Sequence, residues 1–429
     1  KVKLRSLYIL NFLIIKVHVN YQKIIKMSEE KLKMINIDEQ IKIISKGVDE
    51  IIGLDELKEK LAKKKPLTVK LGLDPSAPDI HLGHTVVLRK LRQLQDLGHN
   101  IVIIIGDFTG KIGDPTGKSQ ARKALTTEQV LENAKTYEEQ IFKVLDKEKT
   151  DVKFNSEWLS KMNFEDVIRL GSKMTVARML EREDFKKRYE NQMPISIHEF
   201  FYPLMQGFDS VELKADIELG GTDQRFNLLM GRMLQKEFGQ EPQCTIMMPL
   251  LEGLDGINKM SKSLGNYVGI DEEANVMFEK IMTIPDNLII KYFELVTDVH
   301  PDDVEEIKKS LKEGVNPRDI KIQLAREVVE LYHGKDAVKG AEERFRLVFQ
   351  KNEIPNDIKT VEVKKEEFNL SEIIVKNGLV KSKNEFRRLV EQGGVKANAE
   401  KLNNIEQLII TDEIVIQIGK KKFIKVIIK

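Results

Sequence analysis

Five consecutive aliphatic residues, Ile101-Val102-Ile103-Ile104-Ile105, end at Gly106-Asp107, and this run restricts the possible folds more than any other feature of the chain. A strand with one wet face alternates apolar and polar residues. An unbroken β-branched run therefore implies cover on both faces, as in a parallel sheet flanked by helices. The neighbouring segments agree. Thr68 to Asp74 reads as a second strand, ending in the turn Pro75 to Pro78. From Val86 to Leu97, apolar residues recur at 87, 88, 91, 94 and 97, a helical period that Gly98 ends.

Further along, Thr126-Thr127-Glu128-Gln129 opens a helix in capping-box style. Ser196 to Asp209 and Gln224 to Phe238 read as helices, and Ala215 to Leu219 as a short strand before Gly220-Gly221. This alternation predicts an α/β domain with a doubly wound, Rossmann-like parallel sheet. Its ligand site should lie at the carboxyl ends of the strands, where the glycines and Asp74, Asp107 and Asp114 fall.

A chain of 429 residues is too long for one core. Residues 1–26 read as a non-functional N-terminal extension: the apolar stretch Leu7 to Ile15 has no small-residue cleavage site after it and is too short to span a bilayer. Residues 27–255 form the expected catalytic domain. Residues 256–351 hold a loop and an α-helical domain, 352–367 a polar linker, and 368–429 a small α+β module. The chain carries 70 Lys+Arg against 68 Asp+Glu, so a nucleic-acid partner must be met by local patches rather than by a global field. One such pole stands out: Lys376 to Lys429 holds twelve Lys/Arg against six Asp/Glu. The single Cys244 excludes a disulfide within one chain and fits a reducing compartment.

Two strings carry the chemistry. His81-Leu82-Gly83-His84 sits at a strand-to-helix turn, where Gly83 lets a ligand approach the backbone and the helix start offers free N–H groups to phosphate. The same histidine spacing also suits a metal or a structural pair, although no acidic-histidine pattern lies nearby. Lys259-Met260-Ser261-Lys262-Ser263, between Gly253, Gly256 and Gly265, is either a solvated loop or a mobile flap that closes over a triphosphate. Gly113 to Ser119 invites a P-loop reading, which fails because position 112 is Ile where Gly is required. Lys118 and Arg122 remain as cations for a leaving pyrophosphate, or as solvated surface charge. Tyr202, Gln206 and Asp209 share one helical face, and an Asp among large apolar neighbours needs a partner or ligand. Gly220 to Gln224 adds a second close-approach turn.

The runs Gly72 to His84, Gly106 to Lys118, Gly220 to Gln224 and Lys259 to Ser263, in this order, resemble bacterial tyrosyl-tRNA synthetases of class I, over about residues 35–429. The module from about Phe368 is similar to the S4-type RNA-binding domain of such enzymes. The resemblance implies activation of tyrosine by ATP to tyrosyl-adenylate and pyrophosphate, followed by transfer to tRNA(Tyr). ATP with Mg2+ is the implied substrate complex, with no tightly bound cofactor and no protein-bound metal. A cytoplasmic homodimer without membrane contact is the implied state. Ser76, His81 and His84 are implied at the phosphates or adenosine, with Gly83, Gly221 and Met260 also on ATP. Lys259, Lys262 and Ser263, with Lys118 and Arg122, are implied at the pyrophosphate. Asp74, Asp223 and Gln224 fall at the junction of ATP, ribose and tyrosine. Asp114, Tyr202 and Gln206 fall at the tyrosine ammonium, and Asp209 at the phenol. One position departs from the better-known branch of the family: Lys70 stands where a tyrosine also bonds the phenol, which leaves the second phenol partner open.

Three other readings are separable. A tryptophanyl enzyme shares both strings but normally lacks the terminal module. A small nucleotidylyltransferase lacks the Lys259 loop. A non-catalytic RNA-binding factor predicts decayed site strings, and here they are intact.

Overall fold

A computed structural model describes residues 35–73, 80–113, 138–351, 358–405, 411–419 and 422–429. They divide into two compact units, one of residues up to 272 with 280–332, the other of 273–279 with 333–429. The expected helix at Thr126 lies outside the described residues.

The first unit is built on a six-stranded sheet. Its strands are β1 (Glu50–Ile52), β2 (Thr68–Leu73), β3 (Asn100–Ile105), β4 (Thr150–Phe154), β5 (Ile217–Gly221) and β6 (Cys244–Met248), in the spatial order β1-β6-β5-β2-β3-β4. All neighbours are parallel except β1 against β6. All five residues Ile101 to Ile105 are buried, as their lack of alternation requires. The chain runs outward from β2 through β3 to β4, then returns to β5 on the other side of β2. The order thus reverses between β2 and β5, and the crevice at their carboxyl ends is the place for a ligand.

The helix Leu82–Asp96 begins one turn before its apolar period does, because His81 caps it. The helix Ile197–Leu213 runs past Asp209 and packs on Arg225–Glu237. Glycine makes that approach possible: a Cβ on Gly207 would lie 2.9 Å from Leu234 Cδ1 and 3.2 Å from the Gly231 nitrogen. The helices Ile289–Val296 and Pro301–Lys312 follow. Pro317–Phe345 is interrupted at Gly334, whose φ is 78°.

In the second unit, β7 (Thr360–Val363), β8 (Val395–Ala397), β9 (Glu400–Lys401), β10 (Glu413–Ile418) and β11 (Lys422–Ile428) form a sheet of order β7-β11-β10-β8-β9. The helices Leu370–Lys376 and Lys383–Glu391 close its core around Ile374, Phe386, Ile416 and Ile424. Strand β7 falls inside the segment that reads as a linker, where its edge position leaves it without a strong apolar signal. Among the described residues no helix is long and apolar enough to cross a membrane.

Candidate active site

The histidine turn is a capping box made of imidazoles. His81 Nδ1 accepts from the Gly83 N–H at 3.1 Å, and His84 Nδ1 accepts from the His81 N–H at 3.3 Å. These bonds satisfy two donors of the helix start and stack the rings with centroids 3.9 Å apart. Burial, then His84 and Lys262, push His81 down to about 3. Burial, then Lys259 and Lys262, lower His84. With Nδ1 accepting, each neutral ring keeps its proton on Nε2, as a donor suited to a phosphate oxygen.

The lysine loop meets this turn directly. His81 and Gly269 form an antiparallel bridge, and the Leu82 N–H donates to the Val268 carbonyl at 2.9 Å. A Cβ on Gly83 would lie 2.9 Å from His81 Cε1 and 3.3 Å from Met260 Cβ, so the missing side chain lets Met260 approach. Met260 is buried, and its N–H donates to the Leu251 carbonyl at 2.8 Å. Lys259, Lys262 and Ser263 are exposed on either side of it. The loop base is tied by Asn266, which accepts from the Ser261 N–H at 2.8 Å and donates to Asp255 Oδ2 at 3.0 Å. Gly256 and Gly265, at φ 71° and 68°, make the turns that a side chain would strain. Lys262 Nζ lies 5.5 Å over the Tyr267 ring, and the Ser261 and Ser263 hydroxyls are 2.8 Å apart.

A cavity of about 320 Å³ runs from this turn into the sheet crevice. Gly83, His84, Tyr202, Gln206, Asp209, Gly220, Gly221, Asp223 and Gln224 are among the residues that line it. A Cβ on Gly221 would displace the Asp223 carboxylate, whose Oδ1 would otherwise stand too close to it, and Gln224 Oε1 accepts from Asn227 Nδ2 at 2.8 Å. Lys259, Met260, Lys262 and Ser263 do not line the cavity; they stand where the loop abuts Gly83. His81 is buried and is not among the lining residues. Asp74, Ser76, Asp114, Lys118 and Arg122 lie outside the described residues. Among the described residues no three His, Cys, Asp or Glu come together so as to hold a metal.

Asp209 is the cavity's buried acid. Trp158 Nε1 donates to its Oδ1 at 2.7 Å and Asn155 Nδ2 to its Oδ2 at 3.4 Å. Asn155 is oriented by the Phe108 N–H at 3.0 Å and Thr109 Oγ1 at 3.1 Å. Burial raises the Asp209 carboxyl to about 7, against the pull of Lys70, Trp158 and Asn155. Sequence reasoning did not find Trp158 or Asn155. The signal available was the chain's one tryptophan, just past the carboxyl end of β4.

A family model for class I tRNA synthetases (W and Y) matches residues 62–350, and one for a tyrosine--tRNA ligase SYY-like C-terminal domain matches 350–426. Tyrosine--tRNA ligase 2 of Clostridium acetobutylicum is 64% identical over 401 residues, covering 92% of this chain and 100% of the relative. The tyrosine--tRNA ligase of Carboxydothermus hydrogenoformans is 58% identical over 400 residues, covering 90% and 97%. Two solved structures share the fold. The Archaeoglobus fulgidus tyrosyl-tRNA synthetase complexed with L-tyrosine has a TM-score of 0.58 at 24% identity, covering 72% of this chain and 99% of that one. A C-terminally truncated mitochondrial tyrosyl-tRNA synthetase of Aspergillus nidulans has a TM-score of 0.62 at 21% identity, covering 76% and 99%.

Proposed function

The chain belongs to the tyrosine--tRNA ligases, within the class I tRNA synthetases, and from that premise we propose how its residues carry the reaction. It activates tyrosine with ATP to tyrosyl-adenylate and pyrophosphate, then transfers tyrosine to the 3′ end of tRNA(Tyr). The carboxylate of tyrosine attacks the α-phosphorus, its oxygen bonds to phosphorus as the bond to the pyrophosphate oxygen breaks, and no protein-linked intermediate is needed. The protein's part is alignment and stabilisation of charge.

In this reading the phenol lies on Asp209, while Tyr202 and Gln206, with Asp114, hold the ammonium. Gln224, Asp223 and Asp74 face the junction of tyrosine, ribose and ATP. The α-phosphate comes over Gly83, Gly221 and Ser76, where His81 and His84 donate as neutral groups and add no charge of their own. Lys259, Lys262 and Ser263 close on the pyrophosphate as a flap anchored by Met260, and Lys118 and Arg122 are further cations for the same leaving group. The observation that carries this reading is the bridge between His81 and Gly269, which seats the lysine loop against a histidine turn that lines the same cavity as the buried acid Asp209. Pyrophosphate exchange with tyrosine, phenylalanine and tryptophan tests it. Exchange driven by tyrosine alone is expected, and exchange driven equally by tryptophan would overturn the assignment of Asp209.

Mg2+ enters with ATP as part of the substrate, and the enzyme works in the cytoplasm. The domain division proposed is 27–255 catalytic, 256–351 flap and helical, 352–367 connecting and 368–429 S4-like, with 1–26 as an extension. The basic helix Lys383–Glu391 supports tRNA contact by the last of these, since Arg387 and Arg388 are exposed. Homodimerisation is supported by an apolar surface: Phe164 and Ile168, one helical turn apart, are 80% and 57% exposed, and Val176 is 63% exposed. Sedimentation of the Phe164→Asp variant as a monomer is the expected result; an unchanged dimer would contradict this face.

A further inference from the structure

Bonded to the helical turn that carries Asp209 lies a buried ionic cluster outside the reacting groups. Lys70 on β2 and Glu218 on β5 are partners in register across the parallel ladder. Their side chains are 0% and 1% exposed, with Nζ 2.9 Å from Oε1. The ammonium also donates to the Gln206 carbonyl and to Ser210 Oγ, each at 2.8 Å. Two of its hydrogens are thus given to the Gln206–Ser210 turn, while Glu218 Oε1 is held by the ion pair alone, without a hydrogen bond among the described residues.

The rest of the cluster is bonded except at Gln243 Oε1, which is buried without a donor among the described residues. Ser210 Oγ donates to Glu218 Oε2 at 3.1 Å, and Gln243 Nε2 donates to the same oxygen. Gln235 Nε2 donates to the Ser210 carbonyl at 3.2 Å and to the Ala215 carbonyl at 2.9 Å. A Cβ on Gly231 would stand 2.9 Å from Ser210 Oγ and 3.0 Å from Glu218 Oε2, so a glycine there makes room for the cluster. Replacing a buried ion pair by apolar side chains is often neutral or stabilising, so stability alone does not account for this one. What it touches does: Gln206 and Ser210 bracket the helical turn that carries Asp209.

We propose that Lys70, paired with Glu218, is a positioning residue for tyrosine selection. It fixes the Gln206–Ser210 turn and supplies the counter-charge under which Asp209 accepts the phenol hydroxyl, an inference that rests on Asp209 as the phenol-binding acid. The charged groups facing Asp209 are Lys70 from β2 and Glu218 from β5. The donors from beyond β4, Trp158 and Asn155, are neutral. Lys70 favours the carboxylate and Glu218 opposes it, with Lys70 the stronger of the two. Because the pair is a dipole aimed at one acid, removing one end or both ends displaces that acid in opposite directions.

The test compares Glu218→Gln with the double variant Lys70→Met/Glu218→Gln, which leaves no orphaned charge. Tyrosine KM in pyrophosphate exchange is followed against pH, with ATP KM and thermal melting alongside. The double variant is expected to raise tyrosine KM about tenfold or more at neutral pH, the scale of one charge-assisted contact. It should also move the acid limb of that profile upward and weaken preference for tyrosine over phenylalanine. Glu218→Gln should move the same limb downward. ATP KM stays at its wild-type value in both. If both variants shift only the melting temperature and leave the tyrosine pH profile in place, the pair is merely structural and the inference fails. Should the double variant not fold, the direction of the Glu218→Gln displacement decides alone. Failure of the underlying reading is distinguishable: Asp209→Asn would then leave tyrosine KM unchanged.

Discussion

Asp209 binds at a cost to the fold, and Asp209→Asn measures that cost. In the unfolded chain the carboxyl titrates near 3.8, whereas burial in the folded protein raises it to about 7. The folded state therefore holds a proton that the unfolded state releases, and stability is greatest below the unfolded value. It falls as pH rises through the interval up to the folded value. The full difference is on the order of 4 kcal/mol, of which roughly 2.5 kcal/mol falls between about pH 5 and about pH 8. The amide of the variant titrates nowhere in that range. It also loses the charge-assisted bonds from Trp158 and Asn155, but that loss is a constant offset once the acid is gone. The quantity to measure is therefore the pH slope of the stability difference, by urea denaturation in a series of buffers. The wild type should lose stability relative to the variant by a few kcal/mol from about pH 5 to about pH 8. Parallel curves would refute the reasoning, because they would mean that Asp209 is ionised at ordinary acidity in the folded protein. The variant should also lose most tyrosine-dependent exchange, so the same acid is expected to be costly to the fold and necessary to the reaction.

Trp158→Phe removes the 2.7 Å indole donor while keeping an aromatic ring, and should raise tyrosine KM by about 10- to 100-fold with ATP KM unchanged. Steady-state exchange checks this, and an equal change in both constants would contradict it. Lys262→Ala should lower the rate of adenylate formation by about 100-fold or more while leaving tyrosine affinity in place, since its contact is made mainly with the leaving pyrophosphate. Rapid-quench kinetics with equilibrium tyrosine binding separates the two. Arg387→Ala with Arg388→Ala should leave exchange intact, weaken tRNA charging, and flatten the salt dependence of tRNA binding by about 0.7 to 0.9 per lost phosphate contact. An unchanged salt slope would remove this helix from the tRNA surface.

Strands β2, β3 and β5 were legible from their apolar runs, as at Ile101 to Ile105, but the equally buried inner strand Cys244–Met248 was not, since its run of Cys, Thr and Met carries a weaker β-branched signal. Strands at the edge were not legible either. Thr150–Phe154 is half-exposed and polar, so nothing in its pattern marked a strand. Without it there was no reason to place Asn155 and Trp158 at a carboxyl end facing Asp209. Strand β7 escaped for the same reason. The histidine turn and the lysine loop were legible as strings, but their contact depends on a bridge between residues 188 positions apart (His81 to Gly269), which no local pattern encodes. Lys70 was visible as a departure from the better-known branch of the family. Its meaning required the register of β2 against β5, which alone brings Glu218 opposite.

Separated basic groups and one buried acid hold the two ends of a single reacting pair, and a crystal structure with tyrosine and α,β-methylene-ATP tests this most directly. The account predicts the phenol oxygen within hydrogen-bond reach of Asp209, the α-phosphate against Gly83 and His84, and the outer phosphates under Lys259 and Lys262. Outer phosphates bound away from the lysine loop, or a phenol directed away from Asp209, would contradict it.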